Sequence, residues 1–240
     1  MIRNVVIILL LGAGLWACSD VYNLSAESHS VTIDDEIQLN ASIDSMIAPY
    51  QDSMSTIMDE VIAYAPQDFL KGRPNAALNN WAADAIMEVE RIKQGPTIRN
   101  HPPIICLLNV GGLRNPISQG DVTVGDIYKL MPFDNQIVWV ELPWSSNVSI
   151  AEYLKSSGGE PISGATLQGD SLIFDDVTEP AKTFWVITSD YLMNGGDHMD
   201  FFQEQVDFNY GSGMLMRDVF IEAVKIQDTL YIDNSERIHL

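Results

Sequence analysis

The sequence predicts an α+β, or mixed α/β layered, fold on three observations: apolar residues recur at helical spacing in several segments; short apolar runs between prolines and glycines read as buried strands; and a hairpin signature stands beside strands linked through helices. From Ala41, the residues Ile47, Tyr50, Met54, Ile57, Met58 and Val61 recur at a helical period. They predict a long amphipathic helix whose methionines fill core. In "RPNAALNNWAADAIMEVERIK", Leu78, Trp81, Ala82, Ala85, Ile86 and Val89 share one face, so a second helix is expected from near Asn75. "PPIICLLN" reads as a buried strand ending at Asn109, and Gly111 and Gly112 then permit a tight turn.

The Thr-x-x-Asp of "TVGD" has the form of a capping box, which places a short helix over "VGDIYKLM" that Pro132 breaks. Gln136–Leu142 is a β-rich run, "SNVSIAEYLKSS" a helix, and "ATLQGDSLIF" a hairpin turning at Gln168–Asp170. "TFWVITSDYL" is a further buried strand, "MLMRDVFIEAVKIQ" a helix, and the tail "TLYIDNSERIHL" a final strand.

The first 17 residues have the form of a secretory signal peptide: an early arginine, an apolar core from Val5 to Leu15, and Ala17 before Cys18. That core is shorter than the ~20 residues a membrane-spanning helix requires. "LWAC" is similar to a bacterial lipobox, although Trp16 is an unusual occupant. Cys18 is therefore expected to be lipidated, residues 18–40 to form a tether, and residues 41–240 to form the domain. An exported, membrane-anchored bacterial lipoprotein follows as the expected address. Cys106 lies in an apolar run with no partner but Cys18, so a buried reduced thiol is expected.

With 33 acidic and 13 basic residues, the formal net charge is −20. Nucleic acid is excluded as a partner, because phosphate-backbone binding needs a basic surface. A single anionic group could be held only where arginines or backbone N–H groups override the field locally.

Two strand ends are alike: "LLNVGGLR" and "VITSDYLMNGGDHM" each run from an apolar strand into a polar residue and a Gly-Gly pair. Together with the "PF" at Pro132–Phe133, and with "NAALNNWAADAI", "GDVTVGDIYKLMPFDN" and "IDNSERI" in the same order, the chain resembles the C-terminal domain of the 5'-nucleotidase family. That resemblance implies a nucleoside or nucleoside 5'-monophosphate as ligand. Phe133 and Tyr191 would sandwich the base, and Asp197 would accept from ribose hydroxyls. Asn109 would meet the base edge or sugar, and Arg114 the sugar and phosphate-proximal side. Gly111, Gly112 and the Asn194–Gly195–Gly196 turn would allow close backbone approach. Arg73 falls close to a ligand-contacting arginine of the family, a residue or two out of step.

In the full-length family the chemistry belongs to a separate domain with two metal ions held by Asp, His and Asn. The four histidines here, His29, His101, His198 and His239, stand in no Asp-x-His, Gly-Asn-His-Glu or Gly-His-x-His motif. His198 with Asp197 and Asp200 reads as a polar turn, not a metal site. "SDY" and "GSG" have no histidine at nucleophile spacing. No catalytic residue and no cofactor are therefore expected in this chain; divalent metals are expected only in a separate metallophosphoesterase partner. The expected function is the specificity domain of a split 5'-nucleotidase. The alternatives are a non-catalytic surface lipoprotein that binds nucleosides or nucleotides, and a degenerate domain kept for protein interaction.

Overall fold

A computed structural model of the protein describes residues 40–94, 103–175, 177 and 181–240. The segment 1–17, Cys18 and the tether through residue 39 lie outside the described residues, as do His29 and His101. The chain divides into two compact units, Met1–Met46 and Ile47–Leu240. Helix α1 (Ala41–Met58) crosses that boundary. The larger unit continues through β1 (Val61–Ala65), α2 (Ala77–Gln94), β2 (Ile104–Leu107), β3 (Gly120–Thr123), α3 (Val124–Leu130), β4 (Ile137–Pro143), α4 (Ser146–Ser157), β5 (Ile162–Ser163), β6 (Ala165–Gln168), β7 (Ser171–Phe174), β8 (Thr183–Ser189), α5 (Asp190–Met193), β9 (Asp207–Asn209) and α6 (Met216–Gln227).

Five strands form the central sheet in the order β5-β2-β8-β4-β9. β2 and β8 are parallel, pairing Ile104 with Trp185 and Cys106 with Ile187, and every other neighbour is antiparallel. Both faces are covered, so the inner strands read as apolar runs with no polar alternation. Cys106, Leu108, Ile137, Trp139 and Ile187 pack against α2 and α6. Ile105, Leu107, Val138, Val140, Leu142 and Val186 face the other way, onto α4 and the β6–β7 hairpin. The α2 face that periodicity picked out is buried throughout, and its Trp81 ring stacks on Phe220 of α6 at 5.5 Å. The fold is α+β, as expected.

Local signals explain several boundaries. Thr123 Oγ1 accepts from the Asp126 amide at 3.2 Å while Asp126 Oδ2 accepts from the Thr123 amide at 3.0 Å, a complete capping box on α3. The β6–β7 hairpin turns on Gly169, whose φ of 61° glycine adopts without strain. Cys106 is a free buried thiol, and burial pushes its pKa well above the ordinary value.

Four expectations are corrected. From Ile47 to Ile57 no residue of α1 is buried, and Met54 is 59% exposed, so its methionines do not fill core. Periodicity reports that a helix has an apolar face, not what covers it; α1 approaches the rest of its unit at Met58, whose backbone lies against Gly125. Val61 is not on the helix but opens β1, which pairs antiparallel with β3. The tail after α6 is not a strand. It makes isolated bridges at Thr229 and Ile238, and between them "DNSER" has no apolar alternation to present to a sheet. The "TFWVITSDYL" strand also stops at Ser189, whose side chain caps α5 by accepting from the Leu192 amide.

Side chains hold the tail instead. Arg237 donates to both oxygens of Asp84 (2.8 and 2.6 Å), to Asp233 and to the Ile162 carbonyl at 2.7 Å. Asn75 accepts from the amides of Arg237 and Ile238, and Asn80 donates to the carbonyls of Asp233 and Ser235. Burial pushes the Asp233 carboxyl up, but the Ser235 amide and the Arg237 guanidinium more than offset this and hold it below the ordinary value. A carboxyl depressed in the folded state contributes stability above its unfolded pKa and loses it as pH falls through the folded value. Arg237→Met should therefore cost about 2–3 kcal/mol in urea denaturation at neutral pH, somewhat less than removal of one partner from a fully buried pair. The difference between variant and wild type should shrink as pH falls from the ordinary Asp range through the depressed one. A difference that does not change with pH would contradict this.

Candidate ligand site

Because β2 and β8 are parallel neighbours, their carboxyl ends emerge at the same edge of the sheet. β4 runs antiparallel to β8, pairing Ile137 with Ser189, so the turn that precedes β4 is at that edge too. Three segments far apart in sequence thus converge: Asn109–Arg114 after β2, Phe133–Gln136 before β4, and α5 with Asn194–Asp197 after β8. In sheets with parallel strands, the crevice outside the carboxyl ends is where ligands bind.

Asp197 is the hub. Its Oδ2 accepts from Asn109 Nδ2 at 2.6 Å and its Oδ1 from the Tyr191 hydroxyl at 2.8 Å, while its carbonyl accepts from the Tyr153 hydroxyl at 3.1 Å. Both Asp197 (φ 53°) and His198 (φ 62°) are in the left-handed region, unusual for two successive non-glycine residues and a form of strain that clusters at functional sites.

The glycines serve a purpose that sequence alone did not reveal. Gly195 needs its positive φ of 87°, but Gly112 and Gly196 have ordinary φ values. A Cβ on Gly112 would come within 2.6 Å of Asn109 Oδ1, and one on Gly196 within 2.6 Å of the Tyr191 ring. Their lack of a side chain therefore makes room for the candidate contact residues themselves. Gly111 is exposed beside Asn109 and Asp197.

The remaining expected residues fall into two groups. Phe133 and Tyr191 are 40% and 47% exposed at the same edge, and neither stacks on another ring among the described residues. Arg114 is also exposed; its backbone amide donates to the Leu130 carbonyl, and its guanidinium lies 3.4 Å from the Gly111 carbonyl with no carboxylate partner among the described residues. By contrast, Asn194 turns inward on its own helix, donating to the Asp190 carbonyl at 2.7 Å. Arg73 pairs with Glu160 and donates from Nε to the Gly159 carbonyl at 2.8 Å.

Sequence reasoning missed four residues that shape this edge. Glu160, 2% exposed, accepts from the Val110 amide at 2.6 Å. Tyr153 supports Asp197 from α4. Lys71 donates to the Leu113 carbonyl at 2.6 Å. Arg217, at the start of α6, bonds Asp134 at 2.8 Å and the Phe133 carbonyl at 3.4 Å, with its guanidinium 4.4 Å above the Tyr128 ring. Each of these contacts spans at least 42 residues of sequence and involves no motif, so no local signal marks it.

The electrostatics follow from these contacts. The Tyr191 phenol is raised by its hydrogen bond to Asp197 and then by that carboxylate's charge. Burial, with Glu160 and Asp197 adding to it, pushes the Tyr153 phenol up to about 12. Burial also raises Glu160, against the Val110 amide and Arg73, which favour its charged form. An open groove of about 440 Å³ lies alongside, lined by Tyr153, His198, Glu152, Asp200 and Glu204 among others. Its carboxylates make it unsuited to an anionic group. Among the described residues no group of three or more His, Cys, Asp or Glu side chains could hold a metal ion. The Asp197–His198–Asp200 turn forms no such group.

Comparison with known proteins agrees with this architecture. Residues 61–143 match the family model described as 5'-nucleotidase, C-terminal domain. The chain is 22% identical over 170 residues to an apyrase of Tabanus yao, covering 58% of this chain and 30% of the apyrase. It is 25% identical over 151 residues to a 5'-nucleotidase of Vibrio parahaemolyticus, covering 61% and 25%. Among solved structures, a 5'-nucleotidase precursor from Thermus thermophilus superposes with a TM-score of 0.64 at 21% identity, over 82% of this chain and 42% of that one. This chain thus spans less than half the length of each of these three proteins.

Removing the Asp197 charge should release the phenol beside it. In Asp197→Asn, the tyrosine titration should move to lower pH than in the wild type, as followed by tyrosinate absorbance, and most of that movement should be lost in a Tyr191→Phe background. An unchanged titration would mean that the Tyr191–Asp197 contact is not formed in solution.

Proposed function

Because the chain carries a 5'-nucleotidase C-terminal domain, we propose that it is the specificity domain of a split 5'-nucleotidase. It binds a nucleoside or nucleoside 5'-monophosphate at the edge described above, and a separate metallophosphoesterase chain, with its own divalent metals, completes phosphate-ester hydrolysis. The observation that carries this reading is the meeting of Asn109, Tyr191 and Asp197 at the sheet edge where the turn bearing the exposed Phe133 also lies.

The chemistry suits a nucleoside. A carboxylate offers about four acceptor positions, so Asp197 can hold its two internal donors and still accept from a vicinal diol. The exposed rings of Phe133 and Tyr191 offer faces to a base, and such stacking tolerates any base. Asn109 has both donor and acceptor capacity for a base edge or sugar. Arg114, close to the sugar side and unpaired with any carboxylate, would serve the sugar and the phosphate-proximal end; Arg73 is committed to Glu160 and contributes charge nearby. We place the protein outside the cytoplasm, held to a membrane through lipidated Cys18. Among the described residues no helix is long and apolar enough to cross a membrane.

Calorimetric titration tests the ligand. Adenosine and AMP should bind with similar affinity, and Phe133→Ala and Asp197→Ala should each weaken adenosine by about 1–3 kcal/mol. A strong preference for AMP would contradict the placement of Arg114 at the sugar. Adding a metallophosphoesterase encoded beside this chain should raise hydrolysis of nucleoside monophosphates above its rate alone. Binding without that rise would leave the non-catalytic surface binder as the function.

A further inference from the structure

The most buried charge at the site edge belongs to a residue that touches none of the candidate contacts directly except Arg73. Glu160 follows Gly158 and Gly159 at the end of α4 and precedes β5, which pairs with β2 through Leu107 and Ile162. The ladder continues one step further, where the Leu108 amide donates to the Pro161 carbonyl at 3.0 Å. At the next donor, Val110, no strand carbonyl takes the bond; Glu160 Oε2 accepts it instead at 2.6 Å. A side-chain oxygen has replaced a backbone one where the strand peels away, and Asn109–Gly112 can turn outward without leaving a buried donor unsatisfied.

The other oxygen of the same carboxylate, Oε1, holds Arg73. The Arg73 loop is fixed from a second side, because Gly159 packs so closely that a Cβ there would sit 2.7 Å from the Pro74 carbonyl oxygen. One buried carboxylate thus sets both the exit of the Asn109 loop and the position of a cation beside it. A hydrophobic residue of similar size would do neither, and burying a charge for packing alone is costly.

We propose that Glu160 is the positioning residue of the site: through Val110 it sets where Asn109 presents its amide, and through Arg73 it keeps a cation at the loop. This rests on the nucleoside reading above. In Glu160→Gln the amide carbonyl can still accept from Val110, but its NH2 faces the Arg73 guanidinium, so the clamp loses half its function. Glu160→Ala loses both halves.

The test is adenosine affinity by calorimetry, with thermal denaturation measured in parallel. Glu90→Gln is the control, since Glu90 is fully buried, accepts from Trp139 Nε1 at 2.7 Å and the Ser212 amide at 3.1 Å, and takes no part in the site. Glu160→Gln should weaken adenosine about tenfold and Glu160→Ala more, while Glu90→Gln keeps its affinity within about twofold. If Glu160→Ala does not fold, Glu160→Asp takes its place, since the shortened carboxylate cannot reach Val110 and Arg73 together. Wild-type binding that Glu160→Gln leaves unchanged, or that Glu90→Gln weakens equally, overturns the role of Glu160 and leaves the nucleoside site standing. A wild type that binds neither adenosine nor AMP overturns both.

Discussion

The parallel pairing of β2 with β8 is the constraint on which the site depends. Had the two strands been antiparallel, their Gly-Gly ends would emerge at opposite edges of the sheet, and Asn109 could not reach Asp197, 88 residues away in sequence, at 2.6 Å. A parallel pair needs a long connection, and this one runs through β3, α3, β4, α4 and the β6–β7 hairpin. The connection supplies the third member of the site, because β4 inserts antiparallel on the far side of β8 and its leading turn brings Phe133 to the shared edge. Burial on both faces then fixes the register, since a slip of one residue would exchange Ile105 and Leu107 for Cys106 and Leu108 across the sheet.

Charge placement at that edge runs against the chain's overall balance. Lys71, Arg73 and Arg114 gather around Val110–Arg114, three of only 13 basic residues in a chain of net charge −20. They are held differently. Arg73 is held by a buried carboxylate, whereas Lys71 and Arg114 are oriented by backbone carbonyls and keep their charge unpaired among the described residues. A carbonyl fixes a cation's direction without cancelling its field, which is how a strongly acidic protein can still offer one cationic rim. The neighbouring groove, with its exposed carboxylates, continues the acidic surface on the His198 side, so the cationic rim is confined to the Arg114 side.

What was legible in the sequence was what local physics writes there. The α2 face, the capping box at Thr123, the α4 and α6 spans and the hairpin at Gly169 each carry a signal within a few residues, and each formed. The ordered motifs also brought Asn109, Arg114, Phe133, Tyr191 and Asp197 to one edge. What was not legible depends on distant partners. The exposed methionines of α1 share their spacing with buried ones, and Val61 looks the same at the end of a helix as at the start of a strand. The tail's order comes from Arg237, Asn75 and Asn80, not from strand pairing. Glu160 lies between a Gly-Gly turn and a proline, where a solvent-exposed loop carboxylate would be the ordinary expectation; only the fold places it beneath Val110.

The contacts of Asp197 also bear on how a ligand would arrive. Its two oxygens are already engaged by Asn109 and Tyr191, so the carboxylate is oriented before any hydroxyl approaches, and little rotamer freedom remains to be lost on binding. The same bond holds Tyr191, which is half-exposed and whose ring lies so close to Gly196 that a Cβ there would clash with it. Under the proposed reading, the hydrogen bond that orients the ribose acceptor also holds the ring on which the base stacks. The two recognition elements are therefore not independent, and the small size of Gly196 is what allows one bond to serve both.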